Sequence, residues 1–282
     1  MSKISQHPIG VFDSGLGGLA ILKYFLRELA QYDYLYLGDN ARLPYGEKSP
    51  ETIYAYTKEA VEYLFRSGCH LIIIACNTAS AQALRRLQQE YLPQAWPERR
   101  VLGVIRPLAE EVAKKANRGK NQNPIGIIGT KATVNSHAYQ MELSKLRPDL
   151  KIIEIATPLL VPLIEEGWGK KPETKMILKK YLRPLKEKRV SSLLLACTHY
   201  SSLLPEIKHI MPQSTYIPEP GEIIATSLKN YLIRHPELLV SQSKNPQRQY
   251  LATDDNNSFH ALGEIFLEQT IKQLELVKIN QS

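Results

Sequence analysis

Cysteine is scarce in this chain, and the patterns that would assign a cofactor at sight are missing. Three cysteines in 282 residues is an odd number that builds no disulfide framework and points to a reducing compartment. No C-x-x-C or H-x-x-x-H spacing occurs, so the three or four ligands of a zinc site are not supplied and no metal is expected. No apolar run approaches the roughly 18 residues of a membrane span. Met1 to Pro8 leads directly into a strand-like segment without a signal-peptide apolar stretch, so a cytoplasmic location with no membrane partner is expected. A phosphate loop of the G-x-x-x-x-G-K-[ST] type is absent too.

Charge excludes less. The formal net charge is +8, with small clusters at Lys114-Lys115, Lys170-Lys171 and from Lys179 to Arg189. In the last of these, Ile177, Leu178, Leu182 and Leu185 recur at helical spacing, so the charges form the solvated face of an amphipathic helix. No zinc-finger, helix-turn-helix or RNP-like pattern accompanies them, and no nucleic-acid partner is expected. With 43% hydrophobic and 23% charged residues, the chain reads as soluble and globular, with one large domain or two of ordinary size.

What the chain does have is a repeated phrase. Leu71 to Cys76, then Asn77-Thr78, is answered 121 positions later, from Cys76 to Cys197, by Leu193 to Cys197, then Thr198-His199. An apolar run of this kind reads as a buried parallel strand, and the residues just past it lie at the carboxyl end, where open α/β sheets hold ligands. Other strands are expected at Ile9–Phe12, Tyr34–Leu37, Val101–Ile105, Ile125–Gly129, Ile152–Ala156 and Tyr250–Thr253. Helices are expected at Leu19–Leu29, Pro50–Phe65 (with Ser49 as cap), Ala79–Tyr91, Lys175–Leu185, Glu222–Ile233 and Leu262–Val277, with a polar stretch at 241–249. The Ile125 strand resembles the Ile9 strand at an offset of 116, close to the cysteine offset, so a duplicated α/β half is the expectation. The fold class is therefore α/β: two pseudo-symmetric domains with mainly parallel sheets and a site in the cleft between them.

The turn after the first strand, Asp13-Ser14-Gly15-Leu16-Gly17-Gly18, lacks the third glycine of a dinucleotide fingerprint. It offers a carboxylate, a hydroxyl and backbone N–H groups at a helix start, suited to an anionic ligand group. Plain capping by Asp13 and Ser14 is the alternative. Cys69 has no reactive neighbours and reads as a small core hydrophobe. Cys76 and Cys197 each precede a helix start, where a thiolate is favoured. A Cys–His hydrolase would use one of them and leave the other unexplained. Two-base proton transfer at a carbon stereocentre uses both, one as thiolate and one as thiol on opposite faces of the carbon. Asp13 and His199 are candidates to accept or donate the proton at Cys76 and Cys197, and His199, two residues from Cys197, is close enough to tune it; a histidine that only packs or caps at a strand end is the alternative.

Taken together, the Asp13–Gly18 turn, Gly38-Asp39-Asn40 through Pro44-Tyr45-Gly46 to Ser49, Ala75 to Ser80, Gly129 to Val134 and Ala196 to Tyr200 resemble the glutamate racemase family of the aspartate/glutamate racemase superfamily, in family order over most of the chain. The resemblance implies a homodimeric enzyme that interconverts L- and D-glutamate without pyridoxal phosphate or metal and supplies D-glutamate for peptidoglycan. It implies Cys76 and Cys197 as the catalytic pair, with Asp13 and His199 assisting. Asp13, Ser14, Tyr45, Gly46, Asn77, Thr78, Thr130, Thr133, Thr198 and His199 would line the substrate, with Asp39 and Glu154 as auxiliary carboxylates. It also implies a first domain of residues 1–105 plus 217–282 and a second of 106–216. The chain departs from the family pattern at Thr157-Pro158, where the family often has Cys-Pro. It departs again at Ser201, usually Pro, and at Ile217 to Gly221, which lacks the usual Asp-Ser. A relative acting on aspartate and a catalytically silent binding protein are the competing readings.

Overall fold

A computed structural model describes residues 7–116, 123–238, 240, 242, 244–254 and 257–279. Residues 1–6, and positions 241 and 243 of the predicted polar stretch, lie outside them. The first half begins with strand β1 (Ile9–Asp13), helix α1 (Leu19–Glu28), strand β2 (Tyr34–Gly38), helix α2 (Pro50–Arg66) and strand β3 (Leu71–Ile74). The strands are buried at every position, as strands covered by helices on both faces must be. Their side chains divide by alternation: Ile9 and Val11 face the cluster under α1, while Phe12 faces the one under α2. Helix α2 starts where Ser49 Oγ accepts the Thr52 N–H at 3.2 Å and Pro50 fills the first turn, which meets two needs of a helix N-terminus.

After β3 come α3 (Asn77–Gln82), α4 (Leu84–Arg86), a π-turn (Leu87–Tyr91) and α5 (Leu92–Ala95), then β4 (Arg100–Gly103) and α6 (Ile105–Lys115). The predicted helix over 79–91 thus begins two residues earlier, at the Cys76 cap, and is broken into pieces. The predicted strand over 101–105 stops at Gly103, because Ile105, Leu108, Ala109, Val112 and Ala113 have helical spacing and are buried as the inner face of α6. The second half contains β5 (Ile125–Gly129), α7 (Lys131–Asn135), α8 (Ala138–Leu146), β6 (Ile152–Ala156), α9 (Leu160–Glu165), α10 (Pro172–Glu187), β7 (Ser192–Ala196) and α11 (Leu204–Ile210). Helix α12 (Pro220–Arg234), strand β8 (Arg248–Ala252), helix α13 (Asn257–Leu267) and strand β9 (Leu274–Leu276) follow. The predicted closing helix over 262–277 is therefore wrong in its second part. Glu268 adopts a left-handed φ of 56°, which stops the helix, and Leu274 and Leu276 then pair with β8 as a strand.

Two parallel sheets result, one with the order β4-β3-β1-β2-β8-β9 and one with β6-β5-β7. The trio β3-β1-β2 corresponds to β7-β5-β6, a central strand with a cysteine-bearing strand on one flank. This is the pseudo-symmetry the repeated phrase suggests. One buried cluster runs from α1 and the first sheet through α6 and α8 into the second sheet. Among the described residues no helix is long and apolar enough to cross a membrane.

Gly17 marks where the halves press hardest together. A Cβ there would stand 2.4 Å from Thr198 Oγ1 and 2.6 Å from His199 Nδ1, distances no packed carbon tolerates. Gly17→Ala is expected to lower unfolding stability by about 1–3 kcal/mol. Denaturant titration checks this, and an unchanged midpoint would show that the halves slide apart to admit the methyl.

Candidate active site

In each sheet the neighbouring strands end in step. In the first sheet, Ala75 N–H bonds Phe12 O at 2.8 Å, and in the second, Thr157 N–H bonds Gly129 O at 2.8 Å. Past these points the chain delivers Asp13-Ser14, Cys76-Asn77-Thr78, Thr130, Thr157 and Cys197-Thr198-His199 to a common cleft. Asp13 lies just behind the cleft wall and is fully buried. Its Oδ2 accepts the Gly15 N–H at 3.0 Å, and its Oδ1 accepts the Thr198 hydroxyl at 3.4 Å. Burial pushes the carboxyl up from its ordinary value, against the charge of His199 and the N–H groups of Gly15 and Gly18.

The two sulfurs have opposite surroundings. Cys76 caps α3, its Sγ accepting the Ala79 N–H at 3.4 Å and lying 3.3 Å from Ser14 Oγ. Burial and the neighbouring Asp13 carboxylate nevertheless push this thiol up to about 12, so it rests protonated. Cys197 is followed by a 3-10 turn, Thr198–Leu203, and makes no cap bond. Its Sγ lies 3.9 Å from His199 Nδ1. Burial pulls the His199 imidazole down, but Cys197 and Glu165 outweigh it and hold the ring up at about 10. Glu165 Oε1 stands 3.2 Å from His199 Nε2, within ion-pair reach but out of line for a hydrogen bond. One sulfur thus faces a carboxylate and the other an imidazolium.

The walls come from both halves. Thr78, Thr130 and Thr133 form a triangle of hydroxyls with edges of 2.9, 3.2 and 2.9 Å. Gly46 presses on Thr130, since a Cβ there would stand 2.7 Å from Thr130 Cβ. Tyr45 is buried, with its hydroxyl on Asp39. Asn77 Oδ1 accepts the Tyr139 hydroxyl at 2.5 Å. At the mouth, Lys131 Nζ pairs with Glu47 across the halves at 2.9 Å.

Of the residues singled out from sequence, Ser14, Tyr45, Gly46, Cys76, Asn77, Thr78, Thr130, Cys197, Thr198 and His199 line the cleft. Asp13 and Thr133 sit just behind that lining. Asp39 lies beneath Tyr45, bonded also to Arg42 and to Thr253. Glu154 does not reach the cleft: it sits in mid-strand on β6, paired with His137 Nδ1 at 2.9 Å. The carboxylate beside His199 is instead Glu165, and no local pattern distinguishes it from Glu166 in the sequence. Leu43, Pro44, Glu47, Pro158, Val161 and Pro162 also line the cleft. Thr157, at the Cys-Pro departure, is fully buried with its Oγ1 2.7 Å from the Tyr200 hydroxyl, so a polar tie stands where a thiol is usual. Ser201 falls inside the 3-10 turn, and α11 starts only at Leu204. At the remaining departure, Glu219 stands at the start of α12 without a side-chain cap bond, and Gly221 packs on Tyr24.

Two parallel α/β halves each bring one buried thiol to a shared cleft. The family model described as Asp/Glu/hydantoin racemase matches residues 17–218. The chain is 36% identical over 273 residues to the glutamate racemase of Syntrophus aciditrophicus, covering 97% of each chain. It is 39% identical over 256 residues to that of Sulfurihydrogenibium, covering 90% of this chain and 92% of the relative. The structure of glutamate racemase from Francisella tularensis, solved with D-glutamate, matches with a TM-score of 0.87 at 33% identity, covering 98% of each chain. The chain belongs to the Asp/Glu/hydantoin racemase family, and it is a racemase, an isomerase.

The raised His199 and Cys76 values have a common consequence. Each group holds its proton more tightly folded than unfolded, so the stability linked to it is present at low pH and lost as pH rises. For His199 the loss runs from its ordinary value of 6.5 up to about 10, and for Cys76 it begins near 9.0. Unfolding free energy is expected to fall steadily from pH 6.5 to 9.5. His199→Gln is expected to flatten that slope below pH 9, as read from denaturant titrations at each pH. A slope equal in both proteins would mean that His199 is not held protonated.

Proposed function

We propose that the chain is a cofactor-independent glutamate racemase that inverts Cα by two-thiol proton transfer. The observation that carries this reading is the pair of buried thiols from equivalent strand ends, one beside Asp13 and Ser14 and the other beside His199. A substrate Cα between them has one sulfur on each face. The His199 imidazolium is placed to hold an anionic sulfur at Cys197, while Cys76 rests as a thiol. The thiolate removes the α-proton from one face and the thiol delivers its proton to the other. Turnover in one direction leaves the protons exchanged between the two sulfurs, which is the starting state for the reverse direction.

Glutamate brings two carboxylates and one ammonium. Hydroxyls and N–H groups around Asn77, Thr78, Thr130 and Thr198 suit the carboxylates. Donors fixed on the α-carboxylate also stabilise the charge that develops as the proton leaves, without reorganising in the transition state. Asp13 adjusts Cys76, His199 adjusts Cys197, and Glu165 holds His199 charged. A first domain of 1–105 plus 217–282 and a second of 106–216 belong to the same reading, which draws support from the pairing of β8 and β9 with the first sheet. So do a homodimeric state, a cytoplasmic location and supply of D-glutamate to peptidoglycan, which follow from the resemblance.

Incubation of the purified protein with L-glutamate in deuterated water tests the proposal. The α-proton resonance is expected to disappear while the circular dichroism of the substrate decays to zero. Cys76→Ala and Cys197→Ala are each expected to reduce racemisation by about 10²–10⁴-fold or more, the range associated with loss of a positioned acid or base. Inversion of L-aspartate but not L-glutamate would overturn the substrate. Full turnover in either cysteine variant would overturn the two-thiol mechanism.

A further inference from the structure

Tyr139 is a large polar side chain at the centre of the molecule that the proton-transfer scheme leaves without a task. It stands on α8 of the second half and is fully buried. Its hydroxyl reaches across to Asn77, the first residue of α3, immediately after Cys76. Because Asn77 lines the cleft, the contact joins one half of the protein to a binding group of the other.

We propose that Tyr139 is a positioning residue that locks the Asn77 amide with its oxygen turned away and its nitrogen turned into the cleft, and that this fixed polarity selects a carboxylate at that place. The inference rests on the racemase reading of the cleft. Three facts lead to it. The O···O distance is 2.5 Å, a short bond between neutral groups. Burial, with the charge of Cys197 nearby, pushes the Tyr139 phenol up, so it keeps its proton at working pH and must donate. Asn77 Oδ1 is the one acceptor it has among the described residues. The reverse amide orientation would set an NH2 group against the phenol oxygen and leave the phenol proton without an acceptor in a dry interior. An unmet donor of that kind disfavours the reversed orientation by roughly 5- to 150-fold.

The consequence is specific to this group. The hydroxyls of Thr78, Thr130 and Thr133 bond one another and can rotate to donate or accept. A held amide cannot. Its Nδ2 presents donors only, which suits an anionic oxygen and disfavours the substrate ammonium. Tyr139 therefore acts on binding and orientation and has no part in moving the proton.

Tyr139→Phe removes the one oxygen and keeps the ring. Its KM for glutamate is expected to rise about 3–10-fold, the worth of one such hydrogen bond, with kcat within about threefold of wild type. In an Asn77→Ala background the same change is expected to add nothing, since there is no amide left to orient. The double variant also removes both partners, which avoids leaving a buried orphan and keeps the comparison usable should Tyr139→Phe melt early. An equal loss in both backgrounds would overturn the proposal, because the phenol would then be acting through packing or on Cys197 directly. A second readout needs no substrate: side-chain amide NMR spectra, with the Asn77 pair assigned by its disappearance in Asn77→Ala. The pair is expected to shift and broaden in Tyr139→Phe, and an unmoved pair would overturn the locking. If wild-type protein fails to exchange the α-proton of glutamate, the functional reading falls, while the amide spectra still decide whether Tyr139 holds Asn77.

Discussion

Groups that carry protons are kept out of water between two parallel sheets, and the rest of the structure is arranged around that constraint. Asp13, Cys76, Cys197 and His199 are all buried, and an isolated charge in such a place is costly. The chain meets the cost with opposed partners. The Asp13 carboxylate lies under the influence of the His199 charge, and Thr198 bridges the two by donating to Asp13 from the residue beside His199. Remove the burial and the Cys76 thiol returns toward its ordinary value. Remove the pairing and the cleft holds uncompensated charge.

The two halves are alike in topology and unlike in electrostatics. Cys76 sits at a true helix cap beside an anion, and Cys197 at a 3-10 turn beside a cation. A symmetric pair would rest with both sulfurs in the same state, and nothing would distinguish acid from base. The difference in neighbours separates them.

The walls of the cleft are shared in the same spirit. The threonine triangle (Thr78 with Thr130 and Thr133), Gly46 against Thr130, and Tyr139 on Asn77 all join residues of both halves. The relative placement of the two halves at the cleft is thus fixed by short, polar, largely buried contacts.

Much of this was legible in residue order. Strand positions, the Ser49 cap, the repeated Ala-Cys ends and most of the lining residues follow from buried apolar runs and the small polar residues after them, since strand ends in parallel α/β sheets converge on ligands. Where reading failed, long-range contacts overrode local pattern. Leu274 and Leu276 have helical neighbours in sequence but take an edge of the first sheet through pairing with β8. Glu154 is paired with His137 on β6, and the carboxylate beside His199 is Glu165 on α9, a placement that emerges only once both elements are packed. Tyr139 carries no signal at all, because its partner lies 62 positions away. The sequence by itself determined the two-fold α/β plan and the identity of the paired thiols, since these rest on local periodicity and side-chain chemistry. Only the tertiary structure decided the raised Cys76 thiol, the charged His199 ring and the partner of the Asn77 amide, because burial and neighbouring charge are properties of the packed molecule.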